Sequence, residues 1–476
     1  MNIRENQFFT EIKRNGIMKK ALILSIQLIL LLIVSITCNA EDLTFEDFTY
    51  TVLADGTLEI TKYLGKEAVI SVPEEINDQK VSSISSGAFN RNETITDVTL
   101  PDSIITIGDY AFTECTALQS ITLPDGLLSL GDLVFQGDIL LDGIILPASL
   151  IHIGMNPFDR CDSLTEIQLS EENNYFTVDE GVLFDREQSI LISYPAGKTD
   201  TNYTFPEEVT EIAFAAFSEN KYVEEITLPE NITVINGNPF CGCTGLTTMS
   251  VSPLNHYFEV FSGALFNVQE RELISYFWGT EEEHYAVPQG IVSIAQEAFY
   301  RHPELKTIDL PDTLTTINNA AFAESGLTKI KIPDRVISLG NSTFSRCFDL
   351  ESVSLPKNLN WIGNSTFSEC TSLESITFPQ DLNSIGEAAF FQCTGLTKLT
   401  LPKNLHFIDD YAFLGCSEIT EIDFPSRLFS IGRAAFYGIE NLKVITEPGT
   451  LAEEWAIKNE IPVEHKNVNY LPADEV

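Results

Sequence analysis

The chain has 476 residues, enough for several ordinary domains, and its 44% hydrophobic and 10% aromatic content suffices to build a continuous core, which excludes a disordered chain. Its 69 acidic residues against 28 basic ones give a formal net charge of −41, which sets it against nucleic acid and anionic membrane surfaces and favours solubility and basic partners. The acids are scattered, Glu281-Glu282-Glu283 being the longest run, and read as a solvated surface.

Residues 1–40 read as an export signal. Lys19 and Lys20 precede an apolar run from Ala21 to Ile36, and Cys38-Asn39-Ala40 supplies a small residue for cleavage. That run is short against the roughly 20 residues needed to span a bilayer. Membrane contact would therefore run only through an uncleaved leader or a lipid on Cys38, and Thr37 is a poor residue before a lipidated cysteine. Residues 1–40 hold five basic and two acidic residues, so the remainder carries 23 against 67, a net charge of −44.

Residues 41–80 form an N-terminal β cap, in which Phe48–Val52 and Thr57–Thr61 flank the hairpin signal Asp55-Gly56. From 81 to 448 one pattern holds: Leu-x-x-Ile-x-Leu-Pro, then x-x-Leu-x-x-Ile-Gly-x-x-Ala-Phe-x-x-Cys. Pro101, Pro124 and Pro147 recur at one constant interval, and Pro333, Pro356, Pro379, Pro402, Pro425 and Pro448 recur at the same one. Thirteen units are marked by Phe89, Phe112, Phe135, Phe158, Phe217, Phe240, Phe299, Phe322, Phe344, Phe367, Phe390, Phe413 and Phe436. A unit with a period in the low twenties cannot bury its own apolar side, so stacked copies bury it as one column: the fold class is a mainly-β repeat solenoid of the leucine-rich-repeat type. In Leu118–Leu123 the apolar residues alternate as a half-buried strand requires. Pro124 ends that strand because it has no N–H to continue a ladder. Leu127–Leu130 forms the opposite wall, and Gly131 permits a tight or left-handed bend before the turn that carries Phe135. Thirteen stacked rings would line the interior.

Phe158 to Phe217 and Phe240 to Phe299 are equal steps, each more than twice the ordinary interval, which places insertions at about 170–205 and 252–287. They resemble one another: Gly181-Val182-Leu183-Phe184 and Leu191-Ile192-Ser193-Tyr194 match Gly263-Ala264-Leu265-Phe266 and Leu273-Ile274-Ser275-Tyr276. Each reads as a hairpin added to the rod, projecting from it or packing on it. Residues 449–476 are the C-terminal cap and tail. There Thr450-x-x-Glu453 opens a helix through about Lys458, with Leu451 and Trp455 on its inner face.

With Gly108-Asp109-Tyr110-Ala111-Phe112-Thr113-Glu114-Cys115 and Gly386-Glu387-Ala388-Ala389-Phe390-Phe391-Gln392-Cys393 as its clearest copies, the unit resembles the BspA-like (Treponema-type) leucine-rich repeat over about residues 45–448. The resemblance implies a secreted or surface protein. Several such proteins are adhesins that bind host matrix proteins or other cells, and the family has no catalytic residues to carry over.

The chemistry-bearing residues agree. Cys115, Cys161, Cys243, Cys347, Cys370, Cys393 and Cys416 lie three residues after a repeat Phe, pointing into the stack as small apolar groups. The four in consecutive units stand near disulfide range. Cys241-Gly242-Cys243 lacks the further pair of a zinc site. The six histidines show no metal-binding spacing, no nucleophile elbow or phosphate loop is present, and no cofactor is expected. Acidic pairs such as Glu224-Glu225 lack the ordered loop of a calcium site. What remains is the outward face of the first strand, a ladder of small polar groups with acidic neighbours (Asp97, Asp142, Glu166, Glu224 and Glu225) in the front half and lysines behind. The candidate partner-binding residues are Lys306, Asp309, Lys329, Lys331, Ser354, Thr377, Lys398, Thr400 and Asp423. A long shallow array suits an extended extracellular protein or glycan better than a small molecule. The alternative is a structural spacer or coat protein that self-associates, although a monomer is expected. Five Asn-x-Ser/Thr sequons, at Asn92, Asn202, Asn231, Asn341 and Asn364, are acceptors wherever the source glycosylates exported proteins.

Overall fold

A computed structural model describes residues 43–277 and 282–466. The export signal and the end of the tail lie outside the described residues. The chain divides into two compact units. The first takes residues up to Asp138 with Ile145–Pro157 and Ser170–Asn173, and the second takes Ile139–Ile144, Phe158–Leu169 and everything from Asn174.

Unit one starts with the cap. Strands Leu43–Phe45, Phe48–Val52 and Leu58–Tyr63 pair antiparallel around Gly56, whose φ of 86° is the left-handed value that a tight hairpin demands. Leu58–Tyr63 then pairs parallel with Gln79–Ile84, and the sheet continues through Thr106–Ile107, Ser129–Leu130 and His152–Ile153. A second sheet joins Val69–Ser71, Asp97–Thr99 and Ser120–Thr122. Its register, Asp97↔Ser120 through Thr99↔Thr122, steps by one repeat, so each residue sits beside its own counterpart in the next coil. The middle residue of these short strands, such as Val98 or Ile121, is buried and its neighbours face water.

The same construction runs through unit two, mainly β and built of stacked parallel strands. Four strands from His284–Ala286 to Ser352–Ser354 make one first-face sheet, and Ser375–Thr377, Lys398–Thr400, Glu421–Asp423, Lys443–Thr446 and Val463–His465 make the next. The second face carries very short strands such as Phe407–Ile408, between Ser384–Ile385 and Ser430–Ile431.

The ring column is present in both units. In unit one Tyr63, Phe89, Phe112 and Phe135 follow at centroid separations of 5.8, 4.7 and 5.6 Å. In unit two Phe299 through Phe436 stack at 5.1 to 5.4 Å. Burying each ring contributes on the order of 1.5–3 kcal/mol, and the stacked geometry adds to it. The step from Phe322 to Phe344, one residue short, is absorbed in the loop at Gly326 without breaking the stack, whose rings there lie 5.4 Å apart.

Three expectations need correction. The unit count rises, because Tyr194 stacks on Phe217 at 4.9 Å and Tyr276 on Phe299 at 5.3 Å: each of the two long steps contains a further coil whose ring is tyrosine. The insertions do not project. Val182–Asp185 pairs with Phe176–Asp179 and Ile190–Ser193, and the latter continues parallel into Glu211–Ile212, so the hairpin is built into the stack. Ala264–Asn267 repeats the arrangement. Finally, Gly131 serves close approach rather than a left-handed bend. A Cβ there would stand 2.6 Å from the Asp109 nitrogen of the coil before. The left-handed residues lie two before and two after most of the Phe rings, as at Tyr110 (φ 56°) and Glu114 (φ 58°).

The C-terminal helix spans Leu451–Lys458, and its Thr450 hydroxyl accepts from the Glu453 N–H. Glu453 returns a carboxylate oxygen to the Gly449 N–H at 2.6 Å, so the capping box forms one residue offset from the usual pairing. Its buried residues are Ala452 and Ala456. Leu451 and Trp455, expected as the inner face, pack half-buried beside them, and Trp455 closes the ring column 5.3 Å from Phe436.

Candidate binding face

The parallel register brings the sequence-derived candidates of unit two into two columns on one strand face. Thr307↔Lys329↔Ser352 make one run, and Ser375↔Lys398 extends the same place into the next sheet. Lys331↔Ser354 and Thr377↔Thr400↔Asp423 make the other. Asp309, Lys329, Lys331, Ser354, Thr377, Lys398, Thr400 and Asp423 are exposed, and Lys306 is half-buried. The chain folds this way locally because the intervening positions, Ile308, Ile330, Val353, Ile376, Leu399 and Ile422, are buried, and the alternation of a strand turns their neighbours outward.

The candidates differ in how they are held. Lys306 Nζ is 3.1 Å from Asp349, and Asp423 pairs with Lys466. Among the described residues Lys329, Lys331 and Lys398 have no carboxylate within ion-pair distance. The face therefore presents three unpaired cations on a hydroxyl-bearing sheet of an acidic protein. A shallow hollow of about 480 Å³, lined among others by Met249, Val251, Phe258, Val260 and Val268, lies elsewhere in unit two, beside the second insertion.

Behind that face the interior columns are closed. The eight described cysteines are buried. Six of them donate a thiol to the carbonyl of the Phe one coil back, from Cys115 to Phe89 at 3.2 Å through Cys416 to Phe390 at 3.1 Å. Burial pushes the Cys347 thiol up to about 12, which removes the thiolate that exchange or metal binding needs. The disulfides conceivable from spacing are not formed. The same place holds His302, whose imidazole burial drives down to about 4, and Asp138, whose carboxyl burial raises to about 9. One Asp138 oxygen accepts the Cys115 N–H at 2.8 Å, and the other has no hydrogen-bond partner.

A second cluster escaped the sequence reading. In unit two the residue two places after Phe is charged in six coils, Arg160, Glu219, Arg301, Glu324, Arg346 and Glu369, with Gly242 between Glu219 and Arg301. Arg301 lies 2.5 Å from Glu219 and 2.8 Å from Glu324, and Arg346 lies 3.6 Å from Glu324 and 3.2 Å from Glu369. Arg160 stands 3.7 Å from Glu219 and donates to the Tyr300 hydroxyl at 2.7 Å, while both Arg160 and Arg301 lie over the Tyr300 ring. Burial raises the Glu219 carboxyl against the pull of the two arginines. At Glu324 desolvation is outweighed by the hydrogen bond and charge of Arg301, and its carboxyl is held low. The alternation of sign is the signal that was available. Among the described residues no group of three or more His, Cys, Asp or Glu is arranged to hold a metal ion, and no helix is long and apolar enough to cross a membrane.

Short coils of one recurring length, one buried ring each, with parallel strands on two faces and an open polar ladder, define a leucine-rich-repeat solenoid. The family model for the BspA type leucine rich repeat region matches residues 82–184, 197–269, 274–379 and 361–459, together well over half of the chain. The chain belongs to the BspA-type leucine-rich repeat family of surface and adhesion-type repeat proteins. No curated protein matches it. Among solved structures it is similar to a leucine-rich repeat protein from Eubacterium ventriosum, at 21% identity over 83% of this chain and 93% of that one with a TM-score of 0.46. It is also similar to a leucine rich cell surface protein from Faecalibacterium prausnitzii, at 22% identity over 88% and 97% with a TM-score of 0.37. The pneumococcal vaccine antigen PcpA matches at 19% identity over 90% and 99% with a TM-score of 0.40.

Proposed function

We propose that the chain is an extracellular binding module whose first-strand face, over Lys306 to Asp423, engages an extended protein or glycan partner. The observation that carries this reading is the unpaired lysine set Lys329, Lys331 and Lys398, held in register among hydroxyl groups. In a chain of net charge −41 unpaired cations are out of keeping with the surface, and they sit on a face of parallel strands in which equivalent residues of successive coils stand side by side. The leader peptide and the surface-type family support an extracellular site of action.

Charge reversal tests it on the full mature chain. With the triple variant Lys329→Glu, Lys331→Glu, Lys398→Glu, capture of purified host matrix proteins and surface glycans should fall at least tenfold with an unchanged unfolding midpoint. Capture equal to the wild type would remove this face from the binding site. Rim charges act mainly on association rate and salt dependence, so the wild-type interaction should also weaken between low and physiological salt.

A further inference from the structure

The N-terminal cap is a three-stranded antiparallel meander. Leu43–Phe45 pairs with Phe48–Val52 and that strand with Leu58–Tyr63, which then runs parallel to Gln79–Ile84. Each insertion has the same construction. In the first, Phe176–Asp179, Val182–Asp185 and Ile190–Ser193 lead into Glu211–Ile212. In the second, Phe258–Phe261, Ala264–Asn267 and Glu272–Tyr276 lead into Ser293–Ile294. The details coincide. The first turn carries a left-handed residue in all three, Glu46 (φ 51°), Glu180 (φ 47°) and Ser262 (φ 51°). The register shifts once between the second and third strands of each. Tyr63, Tyr194 and Tyr276 donate their backbone N–H to the carbonyls of Ala88, Ala216 and Ala298 at 2.9, 2.7 and 2.9 Å, and each ring packs on the Phe that follows that alanine.

What the cap does at the start of the described chain, the insertions repeat within it. Each opens a new sheet of short strands. The sheet that begins at Leu43–Phe45 ends at His152–Ile153, the one that begins at Phe176–Asp179 ends at Val234–Ile235, and the next begins at Phe258–Phe261. The second unit takes everything from Asn174, just ahead of the first insertion. At the second insertion the core divides as well, since Phe240 and Tyr276 fall in separate hydrophobic clusters. A sheet also breaks between Ser338–Leu339 and Trp361–Ile362, where no meander stands, but there the ring column runs on, with Phe344 and Phe367 stacked at 5.4 Å.

We propose that both insertions are internal N-terminal caps, so that the part of unit two from the second insertion onward is a solenoid closed at both ends, which folds without the coils before it. A repeat stack is held by contacts between neighbouring coils and needs its open ends covered. The meander Phe258–Tyr276 covers one end of this part, and the helix Leu451–Lys458 covers the other. The whole lysine face, from Lys306 to Asp423, lies inside it, so the face is carried by a part that stands alone. The cap assignment does not rest on the binding reading.

The test cuts the full mature chain. A site-specific protease sequence is inserted between Pro253 and Leu254, both exposed, ahead of the second meander, or as a control between Lys357 and Asn358, an exposed turn among ordinary coils. After cleavage the two C-terminal products are purified, and amide exchange is read over 382–424, which both contain. The product headed by the meander should keep its protection within about threefold of the uncut chain, and the product headed by an ordinary coil should lose at least about a hundredfold. Loss in both products would show that the second insertion cannot close a stack, and retention in both that any coil can; either result overturns the proposal. A cut between Glu171 and Glu172, also exposed, tests the first insertion independently. Its product should keep the protection of 209–249 as well, and loss there would deny that meander its cap role.

Discussion

Left-handed backbone flanks almost every stacked phenylalanine, and most of it is not glycine: Arg301 (φ 55°), Glu324 (56°), Arg346 (58°) and Glu369 (58°) all occupy it. Such a residue costs of order 1 kcal/mol. The cost is offset because the conformation aims the N–H at the next coil, Glu324 to the Ser345 carbonyl at 2.8 Å and Arg346 to that of Ser368 at 2.7 Å, so these amides are paired in a turn that carries no regular strand. Three residues after Phe most coils place a small group, and His302 is an exception with a consequence for pH. Its imidazole titrates near 4 in the fold against about 6.5 when unfolded. A base whose folded value is depressed binds protons mainly in the unfolded state, so stability is full above about pH 6.5 and falls as the pH drops toward 4. The shift corresponds to at most about 3 kcal/mol. His302→Asn should flatten that limb of the stability profile, measured by urea midpoints from pH 7 to 4. Parallel profiles for variant and wild type would show that carboxylate protonation elsewhere governs the acid response.

At the scale of the element, the repeat coil was legible because its demands are local: an apolar alternation, a proline that stops the strand and a ring of fixed period. The ion cluster was not read because Glu219 and Arg301 stand 82 residues apart and meet only in the fold, although Arg301 and Glu324 are one coil apart. Aligning the residue two after each Phe exposes the alternation Arg160, Glu219, Arg301, Glu324, Arg346, Glu369, interrupted once by Gly242. Glu219 is its centre, buried at 7% exposure between two guanidinium groups. Breaking a buried pair leaves uncompensated charge and costs several kcal/mol, less here because the arginines are partly solvated. Glu219→Gln keeps the shape and the left-handed φ while removing the charge, and should destabilise by about 2 kcal/mol. The effect should shrink when Arg301→Met is added, since the cation left without its partner is then gone. A double-mutant cycle with additive losses would deny the coupling.

Considered as a whole molecule, the solenoid is legible in the sequence, while the two coils whose ring is tyrosine were missed and the insertions were set outside the stack for a physical reason visible in their own residues. Val182-Leu183-Phe184 and Ala264-Leu265-Phe266 are continuous apolar runs, and a run without alternation marks a strand buried on both faces. The second insertion shows what that means for unit two. Ala264, Phe266 and Tyr276 belong to the core that continues to Ala456, whereas Leu265, Ile274 and Phe277 belong to the core that reaches back to Val182. One three-stranded element thus serves as the wall between two hydrophobic clusters, and stability in a stack of nearest-neighbour contacts need not be shared across such a wall. Truncations on opposite faces of the same strand should act on different clusters. Leu265→Ala should lower the exchange protection of amides in 209–249 by about 2–4 kcal/mol, and Phe266→Ala that of amides in 294–344 by about 3–5 kcal/mol. Each should leave the other region within a few tenths of a kcal/mol, read by native-state hydrogen exchange. If either truncation weakened both regions equally, the two cores would unfold as one cooperative body and the wall would be no boundary.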